Sequence, residues 1–272
     1  MTTTHDTARP SSAPALASAA TRRPGGPRFP LWLVRIALIA AFLVAIEFSV
    51  RVEIIDPFFV ARPSSVLVQM GSLLTDSEFL SLVGITLAET FVAFGLAAVV
   101  GVIVGFLLWR FRALGDAFEP LVAALFSSPI VLLYPIFLVI LGRNSAAIVA
   151  LAAVFAVLPT ILFTKQALGA VSQTMLNVGR SLRLSAWSNF RYILLPAAAP
   201  TIFTGLRIAL TYVLIVVVAM EYILQIGGLG RFVSEASLLF RATDLYVSVG
   251  LIVVISAGFI WLINRLEKVV QR

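Results

Sequence analysis

The sequence predicts an all-α polytopic membrane protein of about six transmembrane helices, and three observations carry that expectation. Of 272 residues, 60% are hydrophobic and 12% charged, with a mean hydropathy of +1.05; a soluble domain of this length needs far more polar surface. Apolar runs of roughly 20 residues, enough to cross a bilayer, recur between short polar connections. Lys and Arg collect in alternate connections, the asymmetry that orients helical membrane proteins. The net charge of +7 therefore reads as cytoplasmic loops, not as a nucleic-acid surface. The chain has no Cys, and its one His, His5, lies in the tail. Disulfides, thiol nucleophiles and most histidine-based catalysis or metal binding are thereby excluded, and no cofactor or metal is expected.

Residues 1–30 are rich in Thr, Ser, Ala, Pro and Arg and lack apolar periodicity, so they predict a disordered tail ahead of a transmembrane domain over 31–272. The run Leu31–Val50 follows Arg22 and Arg23, as in a twin-arginine export signal, but it is longer than a signal core and further spans follow. It is taken as an uncleaved first span, with Arg35 near one end and Glu47 near the other. In the next segment, PSSVLVQMGSLL places Pro and Ser ahead of a periodic stretch and predicts a short surface helix. The second span, about Val83–Trp109, carries Gly101 and Gly105, a small-xxx-small pair that permits close helix approach.

Arg110–Glu119 is a short hydrophilic turn. The third span, ending near Leu141, contains Ser127, Ser128, Pro129 and Pro135; two prolines predict a kinked or broken helix, which makes it a candidate for lining a path. A tight GRNS turn leads to a fourth span ending near Phe163. After a basic island come a fifth span, about Pro200–Leu224, a loop containing IGGLGRF, and a last span, about Tyr246–Ile263, with the charged tail NRLEKVVQR. An even number of spans puts both termini on one side, and the excess of Lys and Arg places them and the island in the cytoplasm. A charge at a helix centre costs about 2.5–3.5 kcal/mol on insertion scales. Arg35, Glu47, Glu89, Arg207 and Glu221 are read as lying toward span ends, where side chains can snorkel. The functional alternative has Glu89, Ser127, Ser128, Pro129 or Glu221 facing a polar path.

The island, Ser172–Arg207, carries Arg180, Arg183, Arg191 and Arg207 and no Asp or Glu. Met175 and Leu176, Leu182 and Leu184, then Trp187, Phe190 and Ile193 recur at helical spacing. The pattern predicts two short amphipathic helices, with Ser185 capping the second and Pro196 stopping it.

These residues resemble the cytoplasmic coupling loop of bacterial ABC-importer permeases, whose motif runs E-A-A, three residues, G, nine residues, I-x-L-P. Ile193, Leu195 and Pro196 match its distal end, Arg183 stands at the glycine position, and Asn177, Val178 and Gly179 stand at E-A-A. The stretches RSLRLSAWSNFRYILLPAAAPTIFTGLRIAL and AMEYILQIGGLG resemble the branch that imports nitrate, sulfonates, taurine and pyrimidine precursors of vitamins, over roughly residues 60–265. Glu89 stands where many of its members have a basic residue.

The resemblance implies a permease subunit of the bacterial inner membrane with its coupling loop at 170–199. It implies partnership with cytoplasmic ABC ATPase subunits, an extracytoplasmic solute-binding protein docking on outer loops that include the IGGLG turn, a second permease copy, and membrane lipid. Asn177, Val178, Gly179, Arg180, Arg183, Ser185, Ala186, Trp187, Phe190 and Pro196 would contact the ATPase, with Trp187 and Phe190 as the apolar docking face. No G-x-x-x-x-G-K-[ST] occurs, so ATP hydrolysis falls to another chain. Two rival classes are an ion-coupled secondary transporter working through Glu89 and Glu221, and a membrane-embedded enzyme, for which paired carboxylates and His or Cys clusters are missing.

Overall fold

The computed structural model describes residues 31–270; the expected tail, 1–30, lies outside them. Among the described residues all regular structure is helical: α1 (Leu31–Arg51), α2 (Pro63–Leu73), α3 (Ser77–Arg110), α4 (Arg112–Ser127), α5 (Tyr134–Leu141), α6 (Ser145–Gly169), α7 (Gln173–Ser181), α8 (Ala186–Asn189), α9 (Leu195–Leu224), α10 (Gly228–Leu238) and α11 (Ala242–Val270). Among the described residues five stretches are long and apolar enough to cross a membrane: α1, α3, α6, the continuous Ala186–Leu224 stretch, and α11.

The expected third span is the broken one. Ser128 is extended (φ −84°, ψ 148°), the conformation forced on a residue preceding proline, and α4 ends there. A single 3-10 turn, Ile130–Leu133, leads into α5, where Pro135 occupies the first turn and costs no hydrogen bond. The chain is thus interrupted at Pro129, while Pro135 starts a helix instead of kinking one.

The described residues from Leu31 to Ala45 belong to one unit, an apolar helical stretch with exposed Ile36, Leu38 and Phe42, and Ile46 onward belongs to another. Within the second unit, Glu47 receives the first turn of α2: its carboxylate accepts from the Ser64 N–H (3.0 Å) and hydroxyl (2.8 Å), and from Arg51 Nε (2.8 Å). This is the capping of an orphaned helix N-terminus by a carboxylate supplied from another helix.

The core is α6, packed along α3 on one side and α9 on the other, with Leu151, Ala152 and Ala156 sealed from solvent. Gly101 and Gly105 make the α3–α6 contact possible. A Cβ at Gly101 would sit 2.5 Å from Thr160 Cβ, and one at Gly105 would sit 2.7 Å from the Ile161 carbonyl oxygen. On the other side α9 packs on α11 through Leu210, Leu214, Phe259 and Ile263.

Glu221 does not reach the surface by snorkelling, and Arg207, half-buried, is paired across helices. Arg207 is bound by Glu267 (2.6 Å) and Asn264 (2.9 Å) of α11. Glu221 is sealed inside the helix packing. Groups on neighbouring helices pair with both charges.

Candidate functional site

The island contains the two predicted short helices, in modified form. The first, α7, ends in a Schellman-type cap: the Leu184 N–H reaches the Gly179 carbonyl (3.1 Å), and the residue between helix and return, Arg183, is left-handed at φ +50°. That position is normally glycine because a Cβ is strained there. Arg183 stands where the coupling-loop motif has its glycine, and its left-handed backbone is one that glycine enters freely.

Gly179 supplies the close approach. A Cβ there would run into the Asn189 side-chain oxygen and come within 2.8 Å of Ile193 Cδ1. The glycine thus lets α7 lie against the stretch that follows. Asn177 and Val178 are exposed on α7, and Arg180 takes its place on the same helix backbone.

The second helix starts as expected. Ser185 Oγ accepts from the Ser188 N–H at 3.2 Å, and Ala186 follows as the first helical residue. It does not stop at Pro196. Five residues, Phe190–Leu194, form a π turn in which the Leu195 N–H reaches the Phe190 carbonyl, and the helix continues as α9. Pro196 has no N–H to donate, and the shifted register ahead of it lets the helix continue with Pro196 in the first turn of α9.

Trp187 is 67% exposed and Phe190 half-buried. Their rings stack at 5.9 Å and 24°, and Phe190 then meets Phe106 of α3 edge-on at 5.5 Å. Phe190 therefore faces inward, and the apolar surface the island offers consists of Trp187 with Met175, Val178, Leu182 and Tyr192, all exposed. Arg191 lies over the Tyr192 ring at 5.9 Å. No acidic partner to Arg183 or Arg191 occurs among the described ion pairs.

The candidate path residues fall into two places. Ser127, Ser128 and Pro129 are exposed at the α4 break, where Ser127 Oγ donates to the Ala123 carbonyl (3.0 Å). Glu89 (5% exposed) and Glu221 (0%) lie together between α3 and α9. Thr86 donates its hydroxyl to Glu221 at 2.7 Å, the Gly230 N–H donates to the same carboxylate at 2.8 Å, and the Leu229 N–H donates to Thr86 Oγ1 at 2.8 Å. Ser145 lies beside Glu89, whose Oε2 has no partner, nor has the hydroxyl of buried Thr90.

The IGGLG stretch is only partly a loop: Ile226 and Gly227 form the bend after α9, while Gly228, Leu229 and Gly230 are the buried first turn of α10 and offer no exposed docking surface. Gly228 is left-handed (φ +72°), and the Glu221 carboxylate occupies the space its Cβ would need. Sequence reading missed Thr86, although Thr86, Glu89 and Thr90 at helical spacing put three polar groups on one face of an apolar span.

Residues 97–272 match the family described as the binding-protein-dependent transport system inner membrane component. Similar proteins include the nitrate import permease protein NrtB of Synechocystis sp., 32% identical over 184 residues, 66% of this chain and 67% of that protein. Another is the bicarbonate transport system permease protein CmpB of Synechococcus elongatus, 32% identical over 157 residues, 57% of this chain and 56% of that protein. The match to the latter thus spans little more than half its length. The fold is similar to that of the inward-facing MetNI methionine ABC transporter (TM-score 0.60, 24% identity), over 73% of this chain and 100% of that one. The chain is a multi-pass membrane protein that belongs to this inner-membrane component family, the permease subunits of ABC importers.

Proposed function

We propose that the island, 170–199, is the cytoplasmic lever through which a separate ATPase subunit drives solute movement, and that two permease copies enclose the path. Both termini and the island then face the cytoplasm, as the distribution of Lys and Arg requires. The observation that carries the reading is the conjunction at Arg183 and Trp187: a left-handed residue in the motif's glycine place, followed by an exposed aromatic on a helix continuous with a membrane span. A push on Trp187 travels by way of Phe190 to Phe106 and along α9 itself.

The solute is a small polar molecule of the sulfonate, taurine, nitrate or pyrimidine-precursor class, brought by an extracytoplasmic binding protein. The nitrate and bicarbonate named for relatives favour the small oxyanions. With the IGGLG turn buried, the docking surface for that protein is the region around Phe58 and Phe240, whose rings stack at 5.4 Å beside a cavity of about 770 Å³ that Arg62 and Arg241 also line.

The test is uptake in proteoliposomes holding the permease, its ATPase and its binding protein. Trp187→Ala and Arg183→Glu should lower uptake while ATP hydrolysis continues and membrane insertion is unchanged. Wild-type uptake in both variants would move the lever elsewhere.

A further inference from the structure

A cleft of about 1060 Å³ opens where the Arg110 end of α3, the first turns of α4, the later half of α6 and the island converge. Phe106, Trp109, Leu168, Leu176, Trp187 and Phe190 give it an aromatic and aliphatic wall. Arg110, Arg112, Lys165 and Asp116 supply its charges. Lys165 is already neutralised, bound to Glu119 at 2.5 Å with Asp116 at 3.8 Å. Arg110 and Arg112 form no ion pair among the described residues; Arg110 rests over the Phe111 ring at 5.8 Å.

Two polar atoms in the same cleft lack partners. Thr164 is 1% exposed, yet its hydroxyl makes no hydrogen bond, whereas Thr160, one turn earlier on α6, donates to the Ala156 carbonyl at 2.9 Å. Asn189 Oδ1 is likewise unbonded and buried. A buried hydroxyl without a partner is costly and points to a group missing from the bare chain. Exposed Val99, Ile103 and Leu107 on α3 extend the cleft's apolar wall toward the middle of the span, and Ile103 lines the cleft itself.

We infer that this cleft is a specific site for an anionic phospholipid with a hydroxyl-bearing headgroup, of the phosphatidylglycerol type. The phosphate meets the two uncompensated guanidiniums and accepts from the Thr164 hydroxyl, a headgroup hydroxyl donates to Asn189 Oδ1, and an acyl chain runs along Ile103 and its neighbours. Zwitterionic phosphatidylcholine offers the phosphate but adds a cation to a basic site and has no hydroxyl to donate. Because Trp187 and Phe190 belong to both the cleft and the island, a seated lipid braces the island against α3.

The experiment uses the full-length chain in detergent, with lipid retention read by native mass spectrometry after titration with phosphatidylglycerol or phosphatidylcholine. The wild type should retain phosphatidylglycerol about tenfold more strongly than phosphatidylcholine, a preference that Arg110→Ala with Arg112→Ala should abolish. Thr164→Val, which keeps the shape and removes the hydroxyl, should weaken retention several-fold, while Arg265→Ala with Lys268→Ala should leave it unchanged. Equal retention of both lipids by the wild type would overturn the site, as would undiminished preference in both cleft variants. An equal loss on changing Arg265 and Lys268 would replace it with diffuse surface attraction. Inorganic phosphate or glycerol 3-phosphate raising the melting temperature as much as phosphatidylglycerol does would make it a free-anion site instead. Should the double arginine variant fail to fold, Thr164→Val decides alone.

Discussion

The two ends of the 30-residue helix α9, about 45 Å apart at 1.5 Å per residue, are built on opposite principles. At its C-terminal end the Glu221 joint is paired within the chain, although Glu89 Oε2 and the Thr90 hydroxyl beside it have no partner. The Glu221 carboxylate receives a hydroxyl from α3 and an N–H from α10, and the guanidinium of Arg143 caps the last turn, with Nε at 2.9 Å from the Leu224 carbonyl. At its N-terminal end the chain leaves groups unsatisfied: an exposed Trp187, arginines without acids, a left-handed Arg183 and a buried Asn189 oxygen with no donor. A joint whose central carboxylate is paired within the subunit holds without a partner. A surface that is incomplete alone is what a subunit presents to partners.

Four variants would break or sharpen this contrast. Glu221→Ala should have the largest effect: it strands the Thr86 hydroxyl and the Gly230 N–H in a sealed site and leaves a void, so stability should fall by about 3 kcal/mol or more. Thermal unfolding in detergent measures this, and a loss below about 1 kcal/mol would mean that the joint is not closed by that carboxylate. Gly105→Val should follow, at about 1–3 kcal/mol, because its Cβ meets the Ile161 carbonyl oxygen and must push α3 from α6. The same unfolding assay applies, and a wild-type transition would show that the two helices separate freely.

Within the island itself the effects on stability should be small. Ser185→Ala removes the cap of α8 and should cost about 1 kcal/mol, seen as faster amide exchange confined to residues 186–190; protection equal to wild type would reassign the cap. Arg183→Gly should stabilise slightly, by about 1 kcal/mol at most, since glycine enters the left-handed region freely. If Arg183→Gly also preserves ATP-driven uptake, the arginine is a replaceable occupant of a glycine position. If uptake falls while stability rises, its charge contacts a partner.

Much of the fold could be read directly. The order of apolar runs gave the spans, Pro129 gave the break in the third, Gly101 and Gly105 gave the close helix pair, and Ser185 gave the cap. Each follows from a local rule whose cause lies within a few residues. The misread points have a different character. Pro196 looked like a helix stop, but the π turn before it absorbs the missing donor. Glu221 looked like a snorkelling anchor and the whole of IGGLG like a loop, but its last three residues start α10 and bind Glu221, which also meets Thr86 from 135 residues away. Phe190 looked like docking surface, but Phe106 on α3 turns it inward.

By itself, then, the sequence determined that this chain lives in a membrane, roughly where its apolar helices lie, and which segment carries a basic, amphipathic character. Composition, periodicity and cap chemistry act through neighbours in the chain, and they are written there in full. The tertiary structure decided which polar groups are spent inside the subunit and which remain available to others. That division depends on which helix faces which, and in lipid the choice is set by small residues and buried hydrogen bonds between distant segments, not by the apolar pattern common to all the spans.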